Sequence, residues 1–383
     1  EMTGVSTDSR TAGRGAVFFA LKGARCDGHD FVADVLARGA AAAVVSREVS
    51  VPPEHRDRLI FVDDTLRALG DSAREHRRTW GGTVVGITGS NGKTTTREMV
   101  HHVLQGSVPC KRSPKSFNTE VGVPLTIFQA EPDDRALIVE MGTNAPGEIA
   151  SLAAIAEPDM GIITNIGESH LEGLGSVEGV ARAKAELFQA LPPYGAAFLI
   201  ADSPWTEFLR PFAPCEVITY GIGEGSDFRG ASVECADEGH MFIAPGGVRV
   251  TLNVPGLHNV RNALAALAVA KELGVPVEVA AARLASFRLP DLRFHRETIN
   301  GVLVVSDCYN ANPDSMRAAL DTFGRLRVSG RRAAVLGDML ELGRESVRLH
   351  RSLGQSIARS NLDALWTVGE FADCTADSAV EHG

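Results

Sequence analysis

An α/β protein built around a phosphate-binding loop is predicted by three observations. Residues 84–96 read as an apolar strand, a glycine-rich turn and the start of a helix. Short apolar runs then alternate with helical stripes as far as Phe287, the pattern of a mostly parallel sheet. Smaller stretches before and after repeat the alternation, so the chain divides into units at 1–80, 81–288 and 289–383.

In the turn Gly89-Ser90-Asn91-Gly92-Lys93-Thr94-Thr95, glycines let backbone N–H groups converge on an oxyanion, and the helix N-terminus adds partial positive charge. Lys93 can neutralise terminal phosphates and Thr94 can ligate magnesium, so this is a nucleoside triphosphate site. The usual spacing would place a glycine at Ile87, and what remains is Gly89-x-x-Gly92-Lys93-Thr94. The formal net charge of −10 leaves no broad basic surface for nucleic acid, so anionic ligands must be held locally. No apolar run reaches membrane-spanning length, and no basic-then-apolar leader opens the chain. The 6 cysteines show no metal-like pairing and suit reduced thiols in a cytoplasm, without disulfides.

Taken in order, the first unit offers strands at 17–21, 42–45 and 59–62, a helix over 31–38, and a second helix capped by Thr65 with Leu66, Leu69 and Ala73 on one face. Asp8, Ser9, Arg10 and Lys22 concentrate polarity in its loops, and Trp80-Gly81-Gly82 reads as a hinge. In the second unit, the strand at 136–139 ends in Glu140, placed to hold magnesium directly or through water. The strand at 160–164 delivers Asn165 and then His170 to the same edge. On the following helix Lys184 falls inside the apolar stripe of Val180, Ala181, Leu187 and Phe188, where it must snorkel, pair with an acid or lose its charge; spacing alone favours snorkelling. After a β-rich passage at 215–254, Asn259 and Asn262 sit in the first turn of an alanine-rich helix, where capping is the default and reading a base edge the alternative. The third unit has a strand at 302–305, a helix with Asn312 as N-cap and Pro313 at its first position, and further strands at 333–336 and 365–368, a nucleotide-fold-like pattern.

Together these residues resemble the Mur ligase family, from Asp8 to about His350. The phosphate loop is similar to the family's, and Asn118-Thr119-Glu120-Val121-Gly122-Val123-Pro124, Glu140-Met141-Gly142-Thr143-Asn144, Tyr309-Asn310-Ala311-Asn312-Pro313 and Gly337-Asp338-Met339-Leu340-Glu341-Leu342-Gly343 resemble the members that join D-alanyl-D-alanine to UDP-N-acetylmuramoyl-tripeptide. The resemblance implies a three-domain architecture with a Rossmann-like third domain, here expected to be incomplete, and ATP-dependent amide synthesis through an acyl phosphate in a monomeric cytoplasmic enzyme of peptidoglycan precursor synthesis. It implies that ATP and Mg2+ are used, with Thr94 on one ion and Glu140 and His170 on a second. Lys184 would become a carbamate, Asn262 would read adenine, Arg293 would reach the γ-phosphate, Asp307 would lie near ribose and Asn310 near the base. Asp8, Ser9, Arg10 and Lys22 would serve the uridine nucleotide, and Asn118, Thr119 and Asn144 would line the acceptor site. Leu292 and Cys308 stand where the family usually has Gly and Ser. The rival readings are a relative that adds a single amino acid, and a nucleotide-binding member without turnover.

Overall fold

The computed structural model describes residues 3–236, 239–328 and 330–383. The first unit is a four-stranded parallel sheet, β1 (Gly4–Ser6), β2 (Ala16–Phe19), β3 (Ala42–Val45) and β4 (Leu59–Phe61), in that spatial order. Strand β1 was not anticipated, because three residues with a leading glycine give no alternation to detect. The helix Thr65–Trp80 is capped by Asp64, whose Oδ1 accepts from the N–H groups of Leu66 and Arg67 at 2.8 and 3.0 Å. Thr65, expected as the cap, is instead the first helical residue; it donates its hydroxyl to the Ala20 carbonyl at 3.0 Å and so ties the helix to the sheet.

The step at Trp80-Gly81-Gly82, read as a hinge, follows a helix end that is bonded to the second unit. The Trp80 indole N–H donates to the carbonyls of Glu131 and Asp134 at 3.0 and 3.1 Å. Just before it, Arg77 pairs with Asp159 at 2.7 Å and Arg78 with Glu157 at 2.6 Å, so the first unit is bonded to the second through guanidinium groups.

The second unit holds β5 (Thr83–Thr88), β6 (Cys110–Arg112), β7 (Ala136–Glu140), β8 (Met160–Ile163), β9 (Ala196–Ile200), β10 (Glu216–Gly221) and β11 (Phe228–Arg229). They form one parallel sheet in the order β11-β10-β9-β8-β5-β7-β6. Its inner strands β7, β8 and β9 are apolar at nearly every position because both faces are covered. Val85, Ile87, Ile138 and Phe198 face the helices Lys93–Leu104 and Leu257–Glu272, while Val84, Leu137, Val139 and Leu199 face Glu148–Ala156 and Val177–Gln189. The alanines of Leu257–Glu272 are buried, and their small side chains let this helix lie close against Lys93–Leu104. An antiparallel sheet of β12 (Ala231–Ala236), β13 (Gly239–Ala244) and β14 (Val248–Leu252) accounts for the β-rich passage.

The third unit opens with a hairpin of β15 (His295–Ile299) and β16 (Val302–Ser306), closed by Asn300 and Gly301, both at positive φ. Asn-Gly is a strong two-residue hairpin signal, and it went unread because β15 is mostly polar. Asn312 caps the helix Pro313–Gly324 in a capping box with Ser315, as the sequence predicts. Strands β17 (Ala333–Leu336) and β18 (Ala364–Thr367) pair in parallel, with helices Ser346–Ala358 and Ala372–Glu381 following them. Leu171, Leu174, Val180 and Ala183 of the second unit share one apolar cluster with Leu320, Met339, Leu342, Leu349 and Leu353 of the third. The third unit is thereby seated beside the helix that carries Lys184.

Candidate functional site

Strand β5 is flanked by β8 on one side and β7 on the other, which makes its C-terminal end a switch point where ligands of parallel sheets collect. The glycine-rich loop leaves β5, Glu140 ends β7, and Asn165 and His170 follow β8. Gly89 has φ +149°, and a Cβ there would come within 1.9 Å of Thr164 Oγ1; Gly92 has φ +81° where the helix begins. Both positions therefore need glycine, one for space and one for backbone conformation.

Two cavities meet at this loop. The larger, about 610 Å3, is lined from the second unit by Ser90, Lys93, Thr94, Asn118, Thr119, Glu140, Asn144 and His170, from the third by Arg293, Asp307, Tyr309 and Asn310, and from the first by Leu66. The smaller, about 410 Å3, is lined by Thr95, Asn165, Asp202, His258, Asn259 and Asn262. Asn91, Gly92, Arg293, Asp307 and Ser315 border both.

In the larger cavity Lys93 Nζ donates to the Gly89 carbonyl at 2.7 Å, curling back over its own loop. Its pKa is lowered by burial and by Arg293, against the pull of Glu140. Glu140 is buried, with one carboxylate oxygen 2.9 Å from Arg97 Nη1 and the other accepting from Asn118 Nδ2 at 3.0 Å. Arg97 is itself buried and also donates to Glu98 at 2.7 Å and to the Lys115 carbonyl. Sequence reasoning missed Arg97; its one signal is a second cation one helical turn after Lys93.

His170 lies at φ +52° with its Nδ1 against a carboxylate oxygen of Glu341, which also has positive φ and belongs to the third unit. Burial lowers the His170 pKa, and Glu341 partly opposes this. Left-handed backbone at two non-glycine partners is costly and is kept where surroundings enforce it. Among the described residues no three of His, Cys, Asp and Glu cluster tightly enough to form an all-protein metal cage. Thr94, Glu140 and His170 nevertheless line one cavity. A hydroxyl, a carboxylate and an imidazole beside a polyphosphate suit Mg2+, which takes one or two protein oxygens and completes its shell from phosphate and water.

Lys184 is 1% exposed, so it does not snorkel. No carboxylate stands within ion-pair distance among the described residues, and burial followed by the nearby Lys93 lowers its pKa well below the ordinary value of 10.5. The seven-stranded sheet on one side and the third unit on the other close over the stripe, leaving the stem no route to solvent. Burial of this kind favours the neutral amine, the nucleophilic form of a lysine, over the ammonium.

Arg293 Nη2 donates to Thr94 Oγ1 at 3.1 Å while its guanidinium stacks 4.5 Å from the centre of the Tyr309 ring. The residue before it, Leu292, has φ +60°, which explains why glycine suits that position. Asp307 accepts from the Phe294 N–H at 3.2 Å, and burial raises its pKa. Asn262 and Asn259 do not cap their helix, whose N-cap is Gly256; Asn259 donates to the Pro255 carbonyl at 2.7 Å and Asn262 to Asn259 Oδ1 at 3.2 Å, so both carboxamides stay at the smaller cavity. Asn310, expected beside the base, lines the larger cavity and not the one with Asn262.

Asp8, Ser9, Arg10 and Lys22 line neither cavity. Asp8 pairs with Arg10 at 2.7 Å, which brings its pKa down to about 2; the Ser9 carbonyl accepts from Arg38, and the Lys22 backbone forms an isolated antiparallel β-bridge with that of Asp27.

Three family models match the chain: the Mur ligase family catalytic domain over residues 1–77, the Mur ligase middle domain over 87–270 and the Mur ligase glutamate ligase domain over 292–382. The chain is 38% identical over 382 residues to the UDP-N-acetylmuramoyl-tripeptide–D-alanyl-D-alanine ligase of Bacillus subtilis, covering 99% of this chain and 82% of that one. The Escherichia coli ligase of the same name is 34% identical, with 99% and 84% covered. A crystal structure of MurF from Acinetobacter baumannii superposes with a TM-score of 0.92 at 35% identity, over 98% of this chain and 82% of the other. The ADP complex of MurF from Thermotoga maritima gives 0.86 at 31% identity, over 97% and 86%.

Proposed function

The chain belongs to the Mur ligase family, and from that premise we propose that it is the ATP-dependent ligase that joins D-alanyl-D-alanine to UDP-N-acetylmuramoyl-tripeptide, forming ADP and phosphate. One observation carries the reading at the level of geometry: two cavities meet at the phosphate loop, one walled by the carboxamides of Asn259 and Asn262, the other by Lys93, Glu140 and His170, with Arg293 bordering both. ATP spans the junction, with adenosine on the Asn262 side and the γ-phosphate reaching the side of Lys93 and Arg293.

The acceptor carboxylate attacks the γ-phosphorus, the bond to the β–γ bridging oxygen breaks, and ADP departs. The amine then attacks the acyl phosphate carbonyl and phosphate leaves. A carboxylate approaching a polyphosphate is repelled, so the chain's main tasks are positioning and neutralisation. Lys93 and Arg293 supply fixed cations, and Asn118, Thr119 and Asn144 orient the acceptor from the wall of the larger cavity. Thr94, Glu140 and His170 would hold Mg2+, which when bound shields the phosphate oxygens. Lys184, whose burial disfavours the ammonium form, would take up carbon dioxide as the free amine, lose a proton and present a carbamate behind them. Asp8, Ser9, Arg10 and Lys22 would meet the uridine nucleotide at a distance from the chemistry. The 6 free cysteines suit work in a reducing cytoplasm, and among the described residues no helix is long and apolar enough to cross a membrane.

Phosphate release from ATP, measured with the tripeptide nucleotide and with or without D-alanyl-D-alanine, tests the proposal. Turnover should require all three substrates and prefer the dipeptide to D-alanine, L-lysine or meso-diaminopimelate. Efficient addition of one amino acid to the dipeptide-linked acceptor would assign the chain to another ligase of the family.

A further inference from the structure

Two side chains of the phosphate loop ahead of its helix bond outside it: Ser90 meets Gly167 and Ser169 within the second unit, and Asn91 reaches the third. Asn91 is fixed to the second unit by its backbone, the N–H donating to Asn165 Oδ1 at 2.7 Å. Its carboxamide turns to the third unit and pairs reciprocally with Asn312: Asn91 Nδ2 donates to Asn312 Oδ1 at 3.1 Å, and Asn312 Nδ2 donates to Asn91 Oδ1 at 2.7 Å. Asn312 is 5% exposed, so the pair is shielded from water on the third-unit side.

The orientation of Asn312 is not free. Its Oδ1 also accepts from the Ser315 N–H at 2.9 Å as the cap of Pro313–Gly324, and the Asn312 N–H donates to Ser315 Oγ at 3.0 Å. One end of the amide is therefore held as the acceptor, and Nδ2 is left to donate to the loop. The helix is braced independently: Arg317 bridges Asp314 at 3.0 Å and Glu168 at 3.1 Å, and Arg348 reaches Glu168 at 3.2 Å. Asn312 is thus a short side chain on a firmly seated helix, bonded to the middle of a loop made of residues with little torsional restraint.

We propose that Asn312 is a positioning residue for phosphoryl transfer: from the third unit it holds Asn91 and so sets the shape of the phosphate loop that receives the ATP phosphates. This rests on the ligase reading above. The capping role alone does not need Asn91, because Asn, Asp and Ser cap helices about equally well. That equivalence separates the two roles. Asn312→Asp keeps an acceptor for Ser315 N–H but sets a carboxylate oxygen against Asn91 Oδ1; Asn312→Ser keeps the cap and is too short to make the pair.

The test is steady-state ligation by the full chain with both variants, with Asn91→Ser, and with the doubles, beside thermal melts and calorimetric binding of a non-hydrolysable ATP analogue. Wild-type turnover and analogue binding establish the ligase reading; their absence would defeat that reading first. Given them, both Asn312 variants should melt with wild type yet raise KM for ATP by about tenfold, the equivalent of about 1.4 kcal/mol, with KM for the uridine nucleotide unmoved. In an Asn91→Ser background the Asn312 changes should add almost nothing. Unchanged ATP KM in either folded variant, additive effects in the doubles, or loss confined to melting temperature would each overturn the assignment.

Discussion

The two cavities differ in how they treat charge. In the smaller one the carboxamides of Asn259 and Asn262 and the His258 imidazole stand beside one ion pair, Arg261 bonded to Asp202 at 3.0 Å, with Asp314 at the wall and Arg293 and Asp307 shared with the larger cavity. Desolvation at the cavity wall and the nearby Arg261 lower the His258 pKa to about 4. The larger cavity gathers Lys93, Glu140, His170 and Arg293, and the burial of both cations lowers their pKa values. Neutral donors and acceptors suffice to select a base, whose recognition must not compete with charge. Cations held partly out of water suit a reaction between two anions, because their field is screened less there than in bulk solvent. On the proposed ligase reading, recognition would fall on one side of the loop and chemistry on the other.

The strongest way to break that contrast is Lys93→Ala. Removing a fixed cation at the transferred group should lower kcat by at least about 10^2-fold, while thermal melts stay near wild type because a desolvated lysine is lost. Retained turnover would dissolve the chemical assignment of the larger cavity. Next comes Arg97→Leu, which strands the buried Glu140 carboxylate; uncompensated buried charge costs about 3–5 kcal/mol, and chemical denaturation should register it. A variant as stable as wild type would mean that Asn118 alone satisfies Glu140.

On the recognition side, Asn262→Ala should raise KM for ATP by about tenfold, the loss of one good hydrogen-bonded contact, and leave KM for both peptide substrates unchanged. Lys184 gives a pH signature in buffer freed of carbon dioxide. Its folded pKa is depressed, so between that value and 10.5 the unfolded chain binds the additional proton and wild-type stability rises with pH. Lys184→Met should therefore melt higher than wild type at pH 7, with the gap closing as pH approaches 10.5; a gap independent of pH would show that the lysine is charged when folded. Smallest is Leu292→Gly, which relieves a left-handed backbone beside Arg293 and should gain no more than about 1 kcal/mol.

The phosphate loop, the parallel alternation around it, the capped helix after Asn312 and the acid at the end of β7 were all legible in the sequence, because each depends on neighbours a few residues apart: glycines at a turn, apolar runs, an N-cap before a proline. The family resemblance extended that reading to residues far apart in the chain, among them His170 and Arg293. What stayed hidden depends on which element comes to rest against which. Spacing placed Lys184 on an apolar stripe, but only packing from both sides removed its path to water. Asp64 displaced Thr65 as cap because the Thr65 hydroxyl had a partner 45 residues away at Ala20. Arg97 acquired its role from Glu140, two strands along the chain, and Asn312 from Asn91 across a distance of 221 residues. Local chemistry is written in short-range order; the partner of a buried polar group is chosen by tertiary packing, since removal from water obliges it to bond whatever the fold brings within reach.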